Sequence, residues 1–307
     1  MARYQQHYKA LGSEVFITLV LTKENEEQAN KLFLNISNKI NNFENRFSRF
    51  KTDSELTFFN NNAGKKTVVS KQFLDLISTS YKLSQETAGF YNPLILPGLQ
   101  KAGYKGSWPN PDKDYDGIDY SSRKIDTYEQ IKIDKTWVQI PKNTALDFGG
   151  IGKGYLLDLL SDYLANKKLA GYWLSIGGDI VCNGYDLESK PWQIGVQSAD
   201  KVDKVVSSIT NMNGNKLGIA TSGVTKRKGV SNGQNWHHII DPRTGKSVET
   251  TILTVTVTSK QAVNADVFAK SIIIGGKIFA DIYKNSGMID SYYIQTIKDS
   301  VVEGLNI

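Results

Sequence analysis

The stretch from Leu146 to Leu164, LDFGGIGKGYLLDLLSDYL, constrains this chain more than any other. Gly149, Gly150, Gly152 and Gly154 crowd around Lys153. Tyr155, Leu156, Leu159, Leu160, Tyr163 and Leu164 then recur at helical spacing. The pattern predicts a glycine-rich turn feeding an amphipathic helix. Glycines let the backbone approach a ligand closely. A helix start offers free amides and a partial positive charge, and Lys153 adds a full one. A phosphate or pyrophosphate suits such a place. A tight turn explains the glycines equally well. The spacing is neither that of the nucleotide P-loop nor that of the dinucleotide GxGxxG turn, so spacing alone leaves both readings open.

The chain has 307 residues, enough for a substantial core as one domain or as two lobes. Hydrophobic content of 40% and charged content of 22% are those of an ordinary soluble protein. The formal charge of +6 is spread without a Lys/Arg block, which suits anionic ligands and excludes a nucleic-acid footprint. Cys182 is the one cysteine, so no internal disulfide forms, which suits a reducing compartment. The first residues, MARYQQHYKALGSEVFITLVL, lack the features of a signal peptide. No run of about 18 apolar residues exists, so no membrane insertion is expected. A cytoplasmic location follows if Met1 is the natural start.

In chain order, Val15 to Leu21 predicts a strand. Ala29, Leu32, Phe33, Ile36, Ile40 and Phe43 predict a long amphipathic helix. Between Phe43 and Asn60, Arg46, Arg49, Asp53, Ser54 and Glu55 mix with aromatics as a helix end and polar turn. Ser70 can cap a helix with Leu74, Ile77 and Tyr81 on its buried face, ended by Gly89. Gly98 to Ser122 is rich in Gly, Pro, Asp and Tyr and predicts a long surface excursion. Ile131 to Val138 resumes as strand or hairpin. Strands follow at Tyr172 to Ile176, Ile180 to Cys182, Trp192 to Gln197, Lys216 to Ala220 and Ile252 to Thr258. Asn264 to Ile274 predicts a helix, Ile278 to Tyr283 a shorter one, and Tyr292 to Ile297 a closing strand. Strands and helices without regular βαβ alternation indicate an α+β fold.

Two histidines, His237 and His238, adjoin the turn Asp241-Pro242-Arg243-Thr244-Gly245. Histidine is the commonest general base, but two neighbours on a strand point to opposite faces, so at most one faces a given cleft. Asp266 and Lys270 are four apart on a predicted helix. They form a surface ion pair, or, since their neighbours are apolar, a partly buried site where the carboxylate holds magnesium on phosphate oxygens.

Taken together, these blocks resemble the ApbE-type FAD:protein FMN transferases over nearly the whole chain. SRFKTDSELTFFN is similar to the family's serine-glutamate motif, and ETAGFYNPLI to its TGGAFDP segment. LDFGGIGKGY, SIGGDI, IATSG and HHIIDPRTG resemble its most characteristic blocks in order, and NADVFAKS falls at its metal-binding motif. The resemblance implies an α+β, T-fold-like arrangement of mixed sheets and helices with an FAD-binding cleft. It implies one such domain over residues 1–307, or two lobes around the cleft. The implied reaction moves FMN from FAD to a threonine or serine of an acceptor protein and releases AMP. By the same carry-over, Gly149, Gly150, Gly152, Lys153, Gly178, Asp179, Thr221, Ser222 and Asp241 contact FAD. Asp266 and the Gly152 carbonyl bind the metal, and His238, directly before IIDP, is the base.

Three positions depart from the family pattern. Gly152 stands where alanine is usual, and a backbone ligand survives that change. Asn92 replaces the FDP aspartate. Lys270 replaces the usual metal-site threonine, and an ammonium cannot ligate magnesium. Lys270 either replaces the ion's charge on the phosphates, as part of the catalytic set, or neutralises Asp266. Both weaken magnesium. A protein that holds FAD or FMN without transfer, and a pyrophosphatase that splits FAD to FMN and AMP, are the alternative readings.

Overall fold

Residues 13–21 alternate faces as β-branched and apolar side chains must. Val15, Ile17 and Leu19 are buried on one side of the resulting strand, and Val20 packs into a core on the other. That strand belongs to a computed structural model that describes residues 1–107, 118–201, 203–231 and 233–298, and the backbone of 300–303. The chain divides into two compact units. The first comprises Met1–Phe43, Gly152–Gly223 and Thr251–Ile307; the second comprises Glu44–Ile151 and Val224–Thr250.

The first unit is built on an eight-stranded sheet, every neighbouring pair antiparallel. Its first strands are β1 (Ala2–Ala10) and β2 (Ser13–Leu21). In the second unit, β3 (Thr67–Val68), β4 (Lys132–Ile133) and β5 (Trp137–Gln139) form a small sheet of their own. The large sheet continues with β6 (Leu169–Ile176) and β7 (Asp179–Gly184). A separate hairpin, β8 (Trp192–Gln197) and β9 (Val205–Asn211), covers a core of Val20, Ile180, Trp192, Ile194, Ile209 and Ile219. Next in the large sheet is β10 (Leu217–Gly223). The second unit contributes the ribbon β11 (Lys228–Ser231) and β12 (Gln234–His237), and the pair β13 (Ile240–Asp241) and β14 (Lys246–Ser247). The large sheet is completed by β15 (Ile252–Ser259), β16 (Ser291–Thr296) and β17 (Ser300–Glu303), in the order β1-β2-β6-β7-β10-β15-β16-β17.

Helix α1 (Glu26–Phe47) buries Ala29, Leu32, Phe33, Ile36, Ile40 and Phe43, the stripe its sequence predicts. Helix α2 (Glu55–Asn61) starts at Ser54, whose hydroxyl accepts the Thr57 N–H at 3.0 Å. Ser70 caps α3 (Lys71–Glu86) as expected, taking the Phe73 N–H at 3.2 Å. Its buried face is Phe73, Leu76, Ile77, Ser80 and Leu83 rather than one through Leu74 and Tyr81. Tyr81 instead stands at the margin, edge-on to Tyr128 at 5.7 Å. The expected excursion from Gly98 to Ser122 begins inside a helix, α4 (Leu96–Ala102), with Pro97 in its first turn and Leu96, Leu99 and Gln100 buried. Proline is tolerated there because the first amides lack helical partners anyway. Residues 108–117 of that stretch, and Asn232, lie outside the described residues.

Helices α5 (Gly152–Ala165) and α6 (Ala262–Gly275) lie on the sheet of the first unit, α5 against β6 and β7 and α6 against β10 and β15. They meet at their N-terminal ends. A Cβ on Gly154 would lie 2.5 Å from the Ala262 carbonyl oxygen, so only glycine permits the crossing. Helix α7 (Lys277–Asn285) packs on β16. Among the described residues no helix is long and apolar enough to cross a membrane.

Candidate active site

In the first unit, the β6–β7 hairpin turns on Gly177 and Gly178, with Ile176 paired to Asp179. Both glycines have positive φ (62° and 92°), the requirement of a two-residue turn of this kind. The turn delivers Asp179 to a place where it is 2% exposed. There Lys153, in the first turn of α5, forms an ion pair with it. The Thr221 N–H donates to the same carboxylate at 3.3 Å, and the Thr221 and Thr256 hydroxyls are 2.9 Å apart. Burial pushes the Asp179 carboxyl up, Lys153 pulls it down, and Asp266 pushes it up again.

Asp266 is 3% exposed on α6 and accepts the Gly154 N–H at 3.2 Å. A carboxylate of the protein itself thus meets the amide end of α5, the place where the sequence left open a phosphate or a plain turn. The relation is reciprocal. Asp158 on α5 accepts the Ala262 N–H at 3.1 Å and the Val263 N–H at 2.8 Å, capping α6. Lys216 pairs with Asp158 at 2.9 Å. Lys153, Gly154, Gly178, Asp179, Thr221 and Asp266 therefore gather in one place, and Lys270 follows Asp266 by one helical turn. Ser222 lies next along β10, opposite Val255. Gly152 opens α5; the alanine common in the family would meet the Phe43 ring at 3.5 Å, an ordinary contact.

This donor set suits a divalent ion poorly. Asp266 supplies one buried carboxylate, and the other nearby carboxylate, Asp179, is paired to Lys153. Among the described residues no group of three His, Cys, Asp or Glu side chains could hold a metal.

The glycine stretch is divided: Gly149 and Gly150 belong to the second unit, Gly152 and Lys153 to the first. Just before them, Asp147 is the buried residue that the spacing argument passed over. It accepts the Gly149 N–H at 2.9 Å and pairs with Arg49 at 3.2 Å, the two side chains 9% and 6% exposed. Nothing in the local pattern marks this pair, because its members are far apart in the chain.

The two histidines separate clearly. The His237 Nε2–H donates to the Val248 carbonyl at 3.0 Å, and its Nδ1 accepts the Ile239 N–H at 3.3 Å. Both ring nitrogens are committed to the backbone, which fixes the neutral ring. His238 is half-buried at the bend after β12, its own N–H bound to the Arg227 carbonyl at 3.0 Å and its ring edge-on to Tyr104. Asp241 is held by Arg243 through contacts of 2.9 and 2.6 Å, and the Arg243 N–H adds another at 2.9 Å. Burial opposes this charge, but the Arg243 contacts outweigh it and hold the carboxyl below its ordinary range. The side chain of Asp241 is thus occupied in building the turn. Asn92 caps the turn at Pro93 by accepting the Leu94 N–H at 2.9 Å, and donates to the Asp126 carbonyl at 2.8 Å. An ionised aspartate could make only the first bond.

Burial also lowers the His237 pKa from 6.5, with the Val248 contact opposing it. Between the folded and unfolded values the unfolded chain binds more protons, so stability falls as pH falls. His237 therefore contributes stability that is present above the ordinary value of 6.5 and lost as pH drops through the lower folded value. Urea unfolding at a series of pH values should show a shallower acid-side loss for His237→Gln than for the natural protein. Parallel curves would remove His237 as the source.

An antiparallel sheet carrying helices, with a lysine–aspartate pair beside two helix N-termini, defines an α+β protein. Residues 11–288 match the model of the ApbE family. The chain belongs to that family. It is 26% identical over 252 residues to the FAD:protein FMN transferase of Haemophilus influenzae, spanning 76% of this chain and 69% of that one. It is 28% identical over 236 residues to the protein of the same description from Vibrio cholerae, spanning 76% and 70%. The crystal structure of the ApbE protein from Thermotoga maritima is similar in fold, with a TM-score of 0.83 at 23% identity over 99% of this chain and 97% of that one.

Proposed function

We propose that this protein is an FAD:protein FMN transferase. The supporting observation is that four of the family blocks bring Lys153, Asp179, Thr221 and Asp266 together in the first unit. In this reading Lys153 exchanges Asp179 for the FAD diphosphate, and the backbone of Gly149, Gly150, Gly152 and Gly178 lies along the substrate. Thr221 and Ser222 supply hydroxyls, and Asp241 acts through the turn it builds with Arg243. His238 takes the proton of an acceptor threonine or serine. The freed oxygen forms a bond to the phosphorus of the FMN half, and the diphosphate bond breaks. AMP departs with the bridging oxygen. Leaving-group charge needs a fixed positive partner, and lysines can provide it.

Chromatography should find AMP released from FAD only when a threonine-containing acceptor is present. AMP released at the same rate without acceptor would identify a pyrophosphatase instead.

Lys270 stands in for the magnesium ion in this proposal. At an effective dielectric of 20, a unit charge about 4 Å from a divalent ion opposes it by on the order of 8 kcal/mol before screening and relaxation. Transfer by the natural protein should change little when EDTA replaces magnesium, whereas Lys270→Thr should create a magnesium requirement. A natural protein that needs magnesium for transfer contradicts this. Transfer gained only in Lys270→Thr would make the natural protein a flavin holder.

A further inference from the structure

We propose that Arg49 is a positioning residue that fixes the Asp147 end of the glycine stretch and the His238 ring in one geometry. The role given to His238 rests on the transferase reading; the geometry does not. The Arg49 side chain is almost wholly buried, and each nitrogen of its guanidinium has an oxygen partner. Its Nε pairs with Asp147 at 3.2 Å. Nη1 donates to the Lys105 carbonyl at 3.3 Å and Nη2 to the Tyr104 carbonyl at 3.2 Å. The guanidinium also lies beside the Phe50 and Tyr104 rings, 4.3 and 4.8 Å from their centres, and these two rings meet edge-on at 6.4 Å.

The same Tyr104 ring stacks on Trp236 at 5.9 Å and stands edge-on to His238 at 6.3 Å. On the other side, Asp147 shapes the loop by accepting the Gly149 N–H and by donating its own N–H to the Pro93 carbonyl at 2.8 Å. One planar cation therefore touches both the loop anchor and the ring that supports His238. A lysine carries the charge but lacks the flat fork that meets an oxygen on each edge while lying beside two aromatic rings. A buried carboxylate that loses its partner reorients or takes up a proton.

Four full-length variants test this: Arg49→Lys, Asp147→Asn, Tyr104→Leu, and His238→Gln, the last to assign the His238 ring signal in histidine-labelled protein by NMR. Arg49→Lys should remain folded, move the His238 signal, and lower kcat by about ten- to a hundred-fold while the KM for FAD changes little. Its effect should largely disappear in a Tyr104→Leu background, since coupled residues are not additive. If Arg49→Lys fails to fold, Asp147→Asn should still move the His238 signal through Arg49 and Tyr104. A folded Arg49→Lys with the His238 signal unmoved overturns the proposal, as does additivity with Tyr104→Leu. Should the natural protein transfer no FMN at all, a moved His238 signal still supports the positioning role while the transferase reading falls.

Discussion

His238→Ala should lower FMN transfer by roughly a hundred- to ten-thousand-fold, the usual effect of removing a general base. FAD binding, followed by flavin fluorescence, should persist. His238 is placed by its backbone bond to Arg227 and by the Tyr104 ring, so its removal leaves the Arg243–Asp241 turn intact. His237→Ala should act differently. Both of its ring nitrogens serve the backbone at Val248 and Ile239, so its loss should weaken stability more than transfer. Equal losses of transfer in the two variants, at equal stability, would refute the assignment of His238.

Asp158→Ala should destabilise the chain by about 2–4 kcal/mol, the scale of leaving two buried helix-start amides without their acceptor. The Asp158 side chain is 13% exposed and joins Lys216 to the first two amides of α6. Alanine leaves the two amides without their acceptor and Lys216 with only the exposed Asp162, at 3.3 Å. Burial raises the Asp158 pKa above its ordinary value, and Lys216 and the two α6 amides oppose that rise. The loss should also loosen Asp266, one turn further along α6, and weaken FAD binding. Urea unfolding measures the first effect and flavin fluorescence the second. A variant less than about 1 kcal/mol weaker would show that the two helices do not depend on this reciprocal cap.

What the sequence made legible was periodic or local. The α1 stripe from Ala29 to Phe43 carries a repeat that one burial pattern explains, whereas the apolar–threonine alternation of β15 marked a strand that is buried on both faces. The helix after the glycines was visible, but its start at Gly152 was not, because glycine hides where a turn ends and a helix begins. Strand β1 was missed since ARYQQHYKA is an edge strand, with polar side chains outward and little apolar alternation to betray it. Helix α4 was hidden by Pro97 and Gly98, residues that normally mark loops. At the site, Lys153, Asp179, Thr221 and Asp266 could be named from motifs, yet their mutual contacts could not. The Arg49–Asp147 pair and the Asp158 cap join residues about a hundred positions apart, and single-sequence spacing carries no such information. The motif named Asp241, and the structure adds the Arg243 partner two residues on that the motif did not show.

The most direct test is mass spectrometry of an acceptor protein incubated with this protein and FAD, with and without the His238→Ala change. The account predicts an acceptor heavier by one FMN, less water, on a threonine or serine, with AMP formed in equal amount, and formation of that product slowed roughly a hundred-fold or more in His238→Ala. Saturable FAD binding with an unmodified acceptor, across a panel of threonine-containing sequences, would contradict it.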